Sequence, residues 1–533
     1  MPRSQTDQDS QRNRLIGIID SGCAFLHPAF RDDHGATRIV QFWDQGIARR
    51  HGRRNWSPAS HFGYGSVLWH DDIDRLLTLH LPSAMGQADD EIHTYEALQH
   101  LLRQGRVGRP VRRAMHGTHV LDVAGGRRDP WNRGAAPDAA SSAPLAFVQL
   151  PRRTAADGTG GALGAHLLDG VRQLMTLVDA DGDLVISISQ GTQAGPHDGS
   201  SMIESALDEL LELRPNNFAI VVGAGNARLS DCHAVASVPP GQTVELALHI
   251  PHLDSTDSFA ECWYPRVDPK GQPHRLSLQA VAPDGPASHR LFTGCASRLV
   301  GGARTTDPAV AMLIHEAAVP GGADAMALLA LSPASADDGQ PPKPKLHAPC
   351  GTWTLRICNE GTEPCVVDAW AERDEPVHPP WNDFPRWRVG RAGVTTHPVP
   401  PTAQGTLNTL ATAQHVLVAG ALVKASRRPS PYSSLGPPRG GPRLAAGLPT
   451  PNVLAAADAS TQLPGVRAAA VRGGDTVRMR GTSVAAPTLA RQLFNAMVAS
   501  PQPVQRGDWQ VLIDGLADPL QADGRFMPTP PTP

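Results

Sequence analysis

The chain has 533 residues, of which 41% are hydrophobic and 19% are charged, and its formal net charge is −3. This composition is typical of a globular protein with a sizeable core, and at about 100–200 residues per domain it predicts two to four domains. The charge balance gives no indication of nucleic acid or an anionic membrane as a partner. No apolar run approaches the roughly 20 residues of a membrane span, and the polar N-terminus is not typical of a secretory signal. We therefore expect a cytoplasmic protein, with export by another route left open.

Four short runs rich in Ile, Val and Leu indicate fully buried strands of a parallel sheet. These runs are Leu15–Asp20, Asp183–Gly191, Asn217–Asn226 and His415–Leu422. Amphipathic patterns between them predict helices over Ala165–Ala180 and Ser200–Arg214. The residues expected on the buried stripe of the second helix are Met202, Ala206, Leu210 and Leu213.

Alternating strands and helices predict the α/β class, with a parallel sheet covered by helices on both faces. Chemistry in such folds gathers at the carboxyl ends of the strands, where Asp20, Gly191 and Asn226 fall. Residues 236–394 differ, because extended pieces separated by Pro, Gly and Asp turns predict an inserted β-sandwich of six to nine strands.

The predicted division is a catalytic domain over residues 1–235 and 395–505, interrupted by the sandwich at 236–394. Residues 42–113 form an inserted region of long loops and short helices within the first part. Residues 506–533 form a C-terminal extension with a Pro-rich tail.

Four short motifs contain the residue types of a nucleophilic hydrolase. Asp20 lies in IIDSG, His116 in HGTHV, Asn226 in GAGN and Ser483 in GTSVAAP. Taken singly, they are typical of a loop acid, a helix-start histidine, a turn asparagine and a helix cap. A serine needs a neighbouring base to act as a nucleophile, and the base needs an acid to orient it, so the combination favours catalysis.

The chain order Asp, His, Asn, Ser and these motifs resemble the subtilisin-like serine protease family. The segments SISQG, GAAPDA and SSLGP are similar to the family's substrate-binding strand and to two of its connecting stretches. The resemblance covers residues 14–235 and 395–500. A β-rich domain between the Asn and Ser motifs resembles the branch that includes spore-germination proteases, in which the insert rigidifies the catalytic domain.

The resemblance implies a triad of Asp20, His116 and Ser483, with Asn226 and the Ser483 backbone N–H in the oxyanion hole. It also implies that an extended peptide substrate pairs with two segments of this chain. The residues expected to bind that substrate are Ser187, Ser189, Gly191, Ala224 and Gly225.

Several neighbouring residues are expected to be structural. His119 is one helical turn after His116, and Cys23 is expected to be a packed, inert thiol. The seven cysteines have no C-x2-C spacing, so buried free thiols are expected. Family members often bind calcium, but no D-x-D-x-D-G loop is present, so we assign no metal and no cofactor.

Two positions near Ser483 depart from the expected pattern. Arg480 stands where the family has a small residue, which places a bulky cation near the substrate or the triad. Pro487 is expected near the first helical turn, where a missing N–H costs least.

We therefore predict a serine endopeptidase that acts on extended proteins or peptides. Three alternatives stay open: a peptide-binding pseudoprotease, a transpeptidase or macrocyclase, and a processing protease that docks one partner through the sandwich. No nucleic acid or membrane is expected as a partner. The sequence leaves the oligomeric state open.

Overall fold

The structure is a computed structural model. It describes residues 14–46, 62–80, 111–129, 134, 136–151, 163–301, 307–317, 324–335, 347–372, 384–390, 399–459, 465–471 and 475–516. Residues 47–61 and 81–110 of the predicted loop region, and the Pro-rich tail, lie outside these residues. No helix among the described residues combines the length and apolar character that a membrane-spanning helix requires.

The first part of the chain alternates strands and helices. Its strands are β1 (Arg14–Asp20), β2 (Ile39–Asp44), β3 (Ser66–Trp69), β4 (Leu145–Gln149), β5 (Asp183–Ile188) and β6 (Phe218–Gly223). Its helices are α1 (His70–His80), α2 (Val111–Gly125), α3 (Ala139–Ser142), α4 (Leu163–Met175) and α5 (Met202–Leu213). Among its described residues, the predicted loop region 42–113 therefore contains the end of β2, the whole of β3, the helix α1 and the first three residues of α2. β2 and β3 form a short antiparallel pair.

Antiparallel strands follow from His233 to Thr402. They are β7 (His233–Val238), β8 (Thr243–Ile250), β9 (Ser258–Pro265), β10 (Leu276–Val281), β11 (Cys295–Val300), β12 (Ala309–Glu316), β13 (Asp324–Leu331), β14 (Gly351–Asn359), β15 (Cys365–Ala371), β16 (Arg386–Arg388) and β17 (Pro401–Thr402). They form one sheet of four strands and one of seven. Nine of them, β8 to β16, lie wholly within residues 236–394, which agrees with the predicted six to nine, and β7 and β17 extend the seven-stranded sheet beyond those bounds. β16 and β17 are too short to show a pattern in the sequence. The domain boundaries stay predictions.

The chain then returns to the first sheet. The remaining strands are β18 (Leu417–Val423), β19 (Arg428–Pro429), β20 (Val453–Asp458), β21 (Val466–Ala469) and β22 (Thr476–Met479). The remaining helices are α6 (Gly441–Ala445), α7 (Thr482–Ala499) and α8 (Trp509–Leu516). Short 3-10 turns cover Pro28–Phe30, Thr409–Thr412 and Arg506–Asp508.

The predicted α/β class is confirmed by the order of the main sheet. That order is β19-β18-β6-β5-β1-β4-β2-β3, with β20 also paired to β18. The pairs β18–β6, β6–β5, β5–β1, β1–β4 and β4–β2 are all parallel. β1 lies near the centre, and its alternate residues enter two apolar clusters: Ile16 and Ile18 join one, and Leu15 and Ile19 join the other. Burial on both faces explains the unbroken apolar runs.

The predicted stripe of α5 is wrong at both ends. Met202 and Leu213 are 82% and 77% exposed, whereas Leu207 and Leu210 are buried. Glu204 is also fully buried, as it completes a capping box with the N-cap Ser201. The buried face of α5 is therefore rotated relative to the predicted one and includes Glu204, a polar residue that a hydrophobic pattern does not detect.

Candidate active site

Asp20 is the last residue of the central strand β1 and is fully buried. Its Oδ1 accepts a hydrogen bond from Nδ1 of His116 at 2.7 Å. The Ser21 backbone N–H and the Gln190 side-chain amide donate to the same oxygen at 2.6 Å and 3.2 Å. A carboxylate only accepts, so the His116 proton is on Nδ1, which leaves Nε2 of the neutral imidazole as an acceptor. Asp20 thus fixes the tautomer that a general base requires.

α2 delivers His116 because the next residue has no side chain. A Cβ on Gly117 would lie 2.2 Å from the backbone oxygen of Gly22, so any larger residue would push α2 away from the loop that follows Asp20. The Thr118 hydroxyl oxygen accepts a hydrogen bond from the Ala24 N–H at 2.8 Å and joins helix and loop. The side chain of His116 remains 33% exposed to solvent.

His119 and Cys23 have the structural roles expected of them. His119 is fully buried, and its Nε2 lies 2.8 Å from the Val466 carbonyl oxygen, to which it donates. Burial lowers the pKa of His119 to about 4, so the ring is neutral at physiological pH. Cys23 is fully buried, and burial, followed by the charge of Asp20, raises the pKa of its thiol well above the ordinary value. Both predictions are confirmed. Cys295 and Cys350, however, are exposed, so not every free thiol is buried.

Ser483 is the second residue of α7, behind the N-cap Gly481. Gly481 has a φ of 130°, which side-chain-bearing residues rarely adopt. The first N–H groups of a helix have no carbonyl four residues back, so the start of α7 presents donors and the positive end of the helix dipole beside Ser483.

Pro487 lies inside α7 and not in its first turn, so that prediction is wrong. Its missing N–H is the one that would bond the Ser483 carbonyl four residues earlier. The Ser189 hydroxyl replaces it, donating to that carbonyl at 3.0 Å. The segment after β5 therefore completes the first turn of α7.

Asn226 follows β6 and is exposed beside the start of α7. Its Oδ1 accepts from the Thr482 backbone N–H at 2.9 Å. A backbone N–H can only donate, so the oxygen of this amide faces the helix, and the Nδ2 donor is left for another acceptor. The Gly225 N–H in turn donates to the Thr482 hydroxyl at 3.0 Å. These two bonds connect the β6 end to the residue just before Ser483.

The predicted site residues are brought to one edge of the sheet. Two consecutive residues of the segment after β5 connect Ser483 and Asp20. The Ser189 hydroxyl donates to the Ser483 backbone carbonyl, and the Gln190 side-chain amide donates to the Asp20 carboxylate. Gln190 was not among the sequence predictions. A glutamine in this segment shows no sequence pattern that predicts a contact with Asp20, because the contact depends on where β5 ends.

Two of the predicted substrate-binding residues are buried. Ser187 is completely buried within β5, between β1 and β6. Ala224, the first residue after β6, is also completely buried; its N–H donates to the Ala419 carbonyl, and its carbonyl accepts from the Asn408 N–H. Their role in binding a substrate stays a prediction.

Asn408 was not predicted from the sequence. It lies between Gly191 and Gly225, the glycines of the two segments that are expected to bind substrate. A Cβ on Gly191 would come within 2.5 Å of the Asn408 side chain, and one on Gly225 within 3.3 Å of its backbone nitrogen. The amide donates to the Gly223 carbonyl at 2.5 Å and accepts from the Ala411 N–H at 3.2 Å. The signal was its N-cap position before the turn Thr409–Thr412.

The antiparallel domain contacts the loop that follows Gly191. The Glu261 carboxyl group on β9 accepts from the Gly195 N–H at 2.7 Å. The His197 ring stacks on Trp370 of β15 at 4.1 Å between centroids, and His233 of β7 stacks on the opposite face at 4.3 Å. Burial of His197 lowers its pKa to about 4, so this stack contains a neutral imidazole at physiological pH.

Arg480, the unexpected cation, is exposed beside Ser483 along the chain. Its guanidinium carbon lies 5.9 Å from the ring centroid of Tyr432, a cation–π distance. Tyr432 donates to Asp458 at 2.7 Å.

No group of three or more His, Cys, Asp or Glu in the described part of the chain is arranged to hold a metal ion.

Comparison with solved structures identifies the fold. The structure of the Clostridium perfringens CspB protease aligns with a TM-score of 0.62 at 18% identity, covering 95% of this chain and 84% of that one. A cold adapted subtilisin-like serine proteinase aligns at 0.34 and 10% identity (94% and 81% covered), and the patellamide maturation protease PatG at 0.35 and 10% (96% and 84%). No family model and no curated protein matches the chain. The first alignment shows that the chain has the subtilisin-like fold.

Proposed function

We propose that this chain, built on the subtilisin-like fold, is a serine endopeptidase. Ser483 is the nucleophile, His116 the general base and acid, and Asp20 the group that orients His116. Asn226 and the Ser483 N–H form the oxyanion hole. The observation that carries the proposal is the 2.7 Å bond between His116 Nδ1 and the buried Asp20 carboxylate, because it fixes the tautomer in which Nε2 can accept a proton.

The proposed reaction starts when the Ser483 hydroxyl oxygen attacks the carbonyl carbon of a peptide bond and His116 Nε2 takes its proton. The carbonyl oxygen becomes an oxyanion that accepts from Asn226 Nδ2 and from the helix-start N–H of Ser483. The C–N bond then breaks as His116 returns the proton to the leaving amine. Water, activated through the same imidazole, hydrolyses the acyl-enzyme and restores Ser483.

An extended peptide is the substrate class that the strand ends favour. The segment from Ser189 to Gly191 continues beyond the last residue of β5, and Gly191 is exposed. Main-chain groups there suit addition of a substrate strand. Asn408 fills the space between Gly191 and Gly225 with an amide that is already bonded to the protein. We propose that the residue before the cleaved bond is therefore small.

Fluorophosphonate labelling followed by intact mass tests the proposal. The wild type is expected to gain one adduct, while Ser483→Ala and His116→Ala gain none. Ser142→Ala, which removes an exposed serine outside the site, is the matched control and keeps the adduct. No adduct on the wild type would contradict the proposal, and peptide binding by that unreactive protein would identify a pseudoprotease.

Product analysis separates the remaining alternatives. With a labelled peptide substrate and an added amine acceptor, an endopeptidase releases the free acid, whereas a transpeptidase releases mainly the amide. A wild type that reacts with the fluorophosphonate but, when left unlabelled, spares casein and cleaves one bound partner would be a processing protease that docks through the sandwich.

A further inference from the structure

The β-hairpin that leads into α7 exposes a row of arginines. It consists of β21 and β22, and Arg467 lies directly opposite Arg478 in its register. Both arginines are exposed, whereas Val466 and Met479 lie on the other face of the hairpin and pack against the apolar core. Arg480, the residue after β22, is also exposed. Like charges directly opposite each other on paired strands are destabilising, so this face is suited to an anion that lies beside them.

Tyr432 holds the Arg480 guanidinium in place. The guanidinium carbon lies 5.9 Å from the centroid of the tyrosine ring. The ring is itself fixed, because the Tyr432 hydroxyl donates to the buried Asp458 carboxylate at 2.7 Å. Asp458 also accepts from the Ser430 hydroxyl at 2.6 Å and from the Gly465 N–H at 3.2 Å. The carboxylate of Asp458 is therefore bonded by neutral donors and is not the partner of the arginine.

The two arginines nearest to Ser483 keep hydrogen-bond donors for a ligand. Arg478 Nη1 donates to the Gly465 carbonyl at 3.3 Å. No carboxylate in the described part of the chain forms an ion pair with Arg478 or Arg480. A guanidinium has five N–H donors and binds a carboxylate through two of them at once. An acidic side chain is therefore the ligand that this face would bind best.

The order of the main sheet places Tyr432 on the leaving-group side of the cleaved bond. β6, which ends just before Asn226, lies between β5 and β18. The acyl half of the substrate is proposed to pair with the segment after β5. Tyr432 belongs to the loop beyond β18, and its carbonyl accepts from the Arg228 N–H at 3.3 Å. A peptide whose carbonyl oxygen is bound at Asn226 therefore extends its leaving half toward Tyr432 and Arg480.

We propose that Arg480, assisted by Arg478, binds an acidic side chain among the first few residues after the cleaved bond, so that the protease favours Asp or Glu there. The inference rests on the proposed protease function. Arg480 is a specificity-determining residue, since it would contact the substrate without taking part in proton transfer. The arginines are exposed to solvent, so the preference should be modest and should weaken as salt is added.

Peptides with one shared acyl half and different leaving halves test the proposal. The acyl half is taken from a peptide that the wild type cleaves, and Ala, Glu or Lys is placed in turn at each of the first four positions after the cleaved bond. At one of these positions or more, the wild type is expected to cleave the Glu peptide with a kcat/KM about five-fold above that of the Ala peptide. Arg480→Gln should reduce this ratio, and the double variant Arg478→Gln, Arg480→Gln should abolish it. Arg480→Glu should favour the Lys peptide at the same position.

The matched control is Arg388→Gln, which removes an exposed arginine of β16 in the antiparallel domain and should keep the wild-type preference. Fluorophosphonate labelling of the same samples separates this inference from the function on which it rests. A labelled, active wild type with no preference for Glu at any of the four positions would overturn the inference alone. A preference that survives in the double variant and in Arg480→Glu would do the same. A wild type that is neither labelled nor active would overturn the protease proposal, and this inference with it.

Discussion

The contact between Ser189 and Ser483 predicts a measurable coupling with Pro487. Ser189→Ala removes the hydroxyl that donates to the Ser483 carbonyl at 3.0 Å. Pro487 cannot supply the helical N–H, so the variant leaves a partly buried carbonyl without either donor. Such a loss costs about 1 kcal/mol, within the range of about 1–3 kcal/mol for an unsatisfied buried group.

Pro487→Ala restores the missing N–H four residues after Ser483. In that background Ser189→Ala should cost little, because the carbonyl then has its ordinary helical partner. The expected coupling free energy between the two substitutions is therefore about 1 kcal/mol.

Urea unfolding of the wild type, the two single variants and the double variant measures this coupling. Ser142→Ala, an exposed serine on α3, controls for loss of a hydroxyl without a buried acceptor. Additive losses, with a coupling below about 0.5 kcal/mol, would show that the Ser189 hydroxyl does not replace the proline N–H and would refute the reasoning.

Three further predictions follow from the same region. Asn226→Ala should lower kcat for peptide hydrolysis by about 10²–10³-fold with a smaller change in KM, since Nδ2 is expected to bond the oxyanion; steady-state kinetics would show this, and an unchanged kcat would exclude the role. Asn408→Gly should open the space between Gly191 and Gly225 and shift cleavage toward larger residues before the cleaved bond; a peptide library would reveal the shift, and an unchanged profile would contradict it. Burial raises the pKa of Glu204 to about 8, so the folded state retains a proton that the unfolded chain releases, and the free energy of unfolding should fall between about pH 4.5 and 8. Glu204→Gln should reduce that fall in pH-dependent unfolding, and an identical slope would rule out Glu204 as its source.

The central strands, and the strand ends that carry the four motifs, could be predicted because their signals are local. A run such as Leu15–Asp20 is apolar at nearly every position, since its residues face two separate apolar clusters. His116 was correctly expected in a helix, and the direct bond to Asp20 follows from the topology that places α2 against the end of β1.

Features that depend on register or on distant contacts could not be predicted. The burial of Ser187 and Ala224 depends on where β5 and β6 stop, and a shift of one or two residues turns a contact residue into a core residue. Asn408 carries an ordinary local signal, an N-cap. Its position beside Gly191 and Gly225 comes from neighbours that are far away in sequence.

The antiparallel domain forms contacts with the loop after Gly191, so an insertion in this position contributes to the structure of the candidate site. The loop after Gly191 has a backbone N–H at Gly195 that is bonded by Glu261, and an imidazole at His197 that is covered by Trp370. Burial raises the pKa of Glu261, and the Trp263 indole donates to it at 2.8 Å, so the carboxyl group belongs to the interior of the domain contact. Without the insert, the His197 ring would lose its stacking partner Trp370, and the Gly195 N–H would lose its buried acceptor. Each of these losses costs free energy. The edge that we propose binds the substrate is therefore built from both parts of the fold, and its geometry cannot be transferred from a relative that lacks the insert.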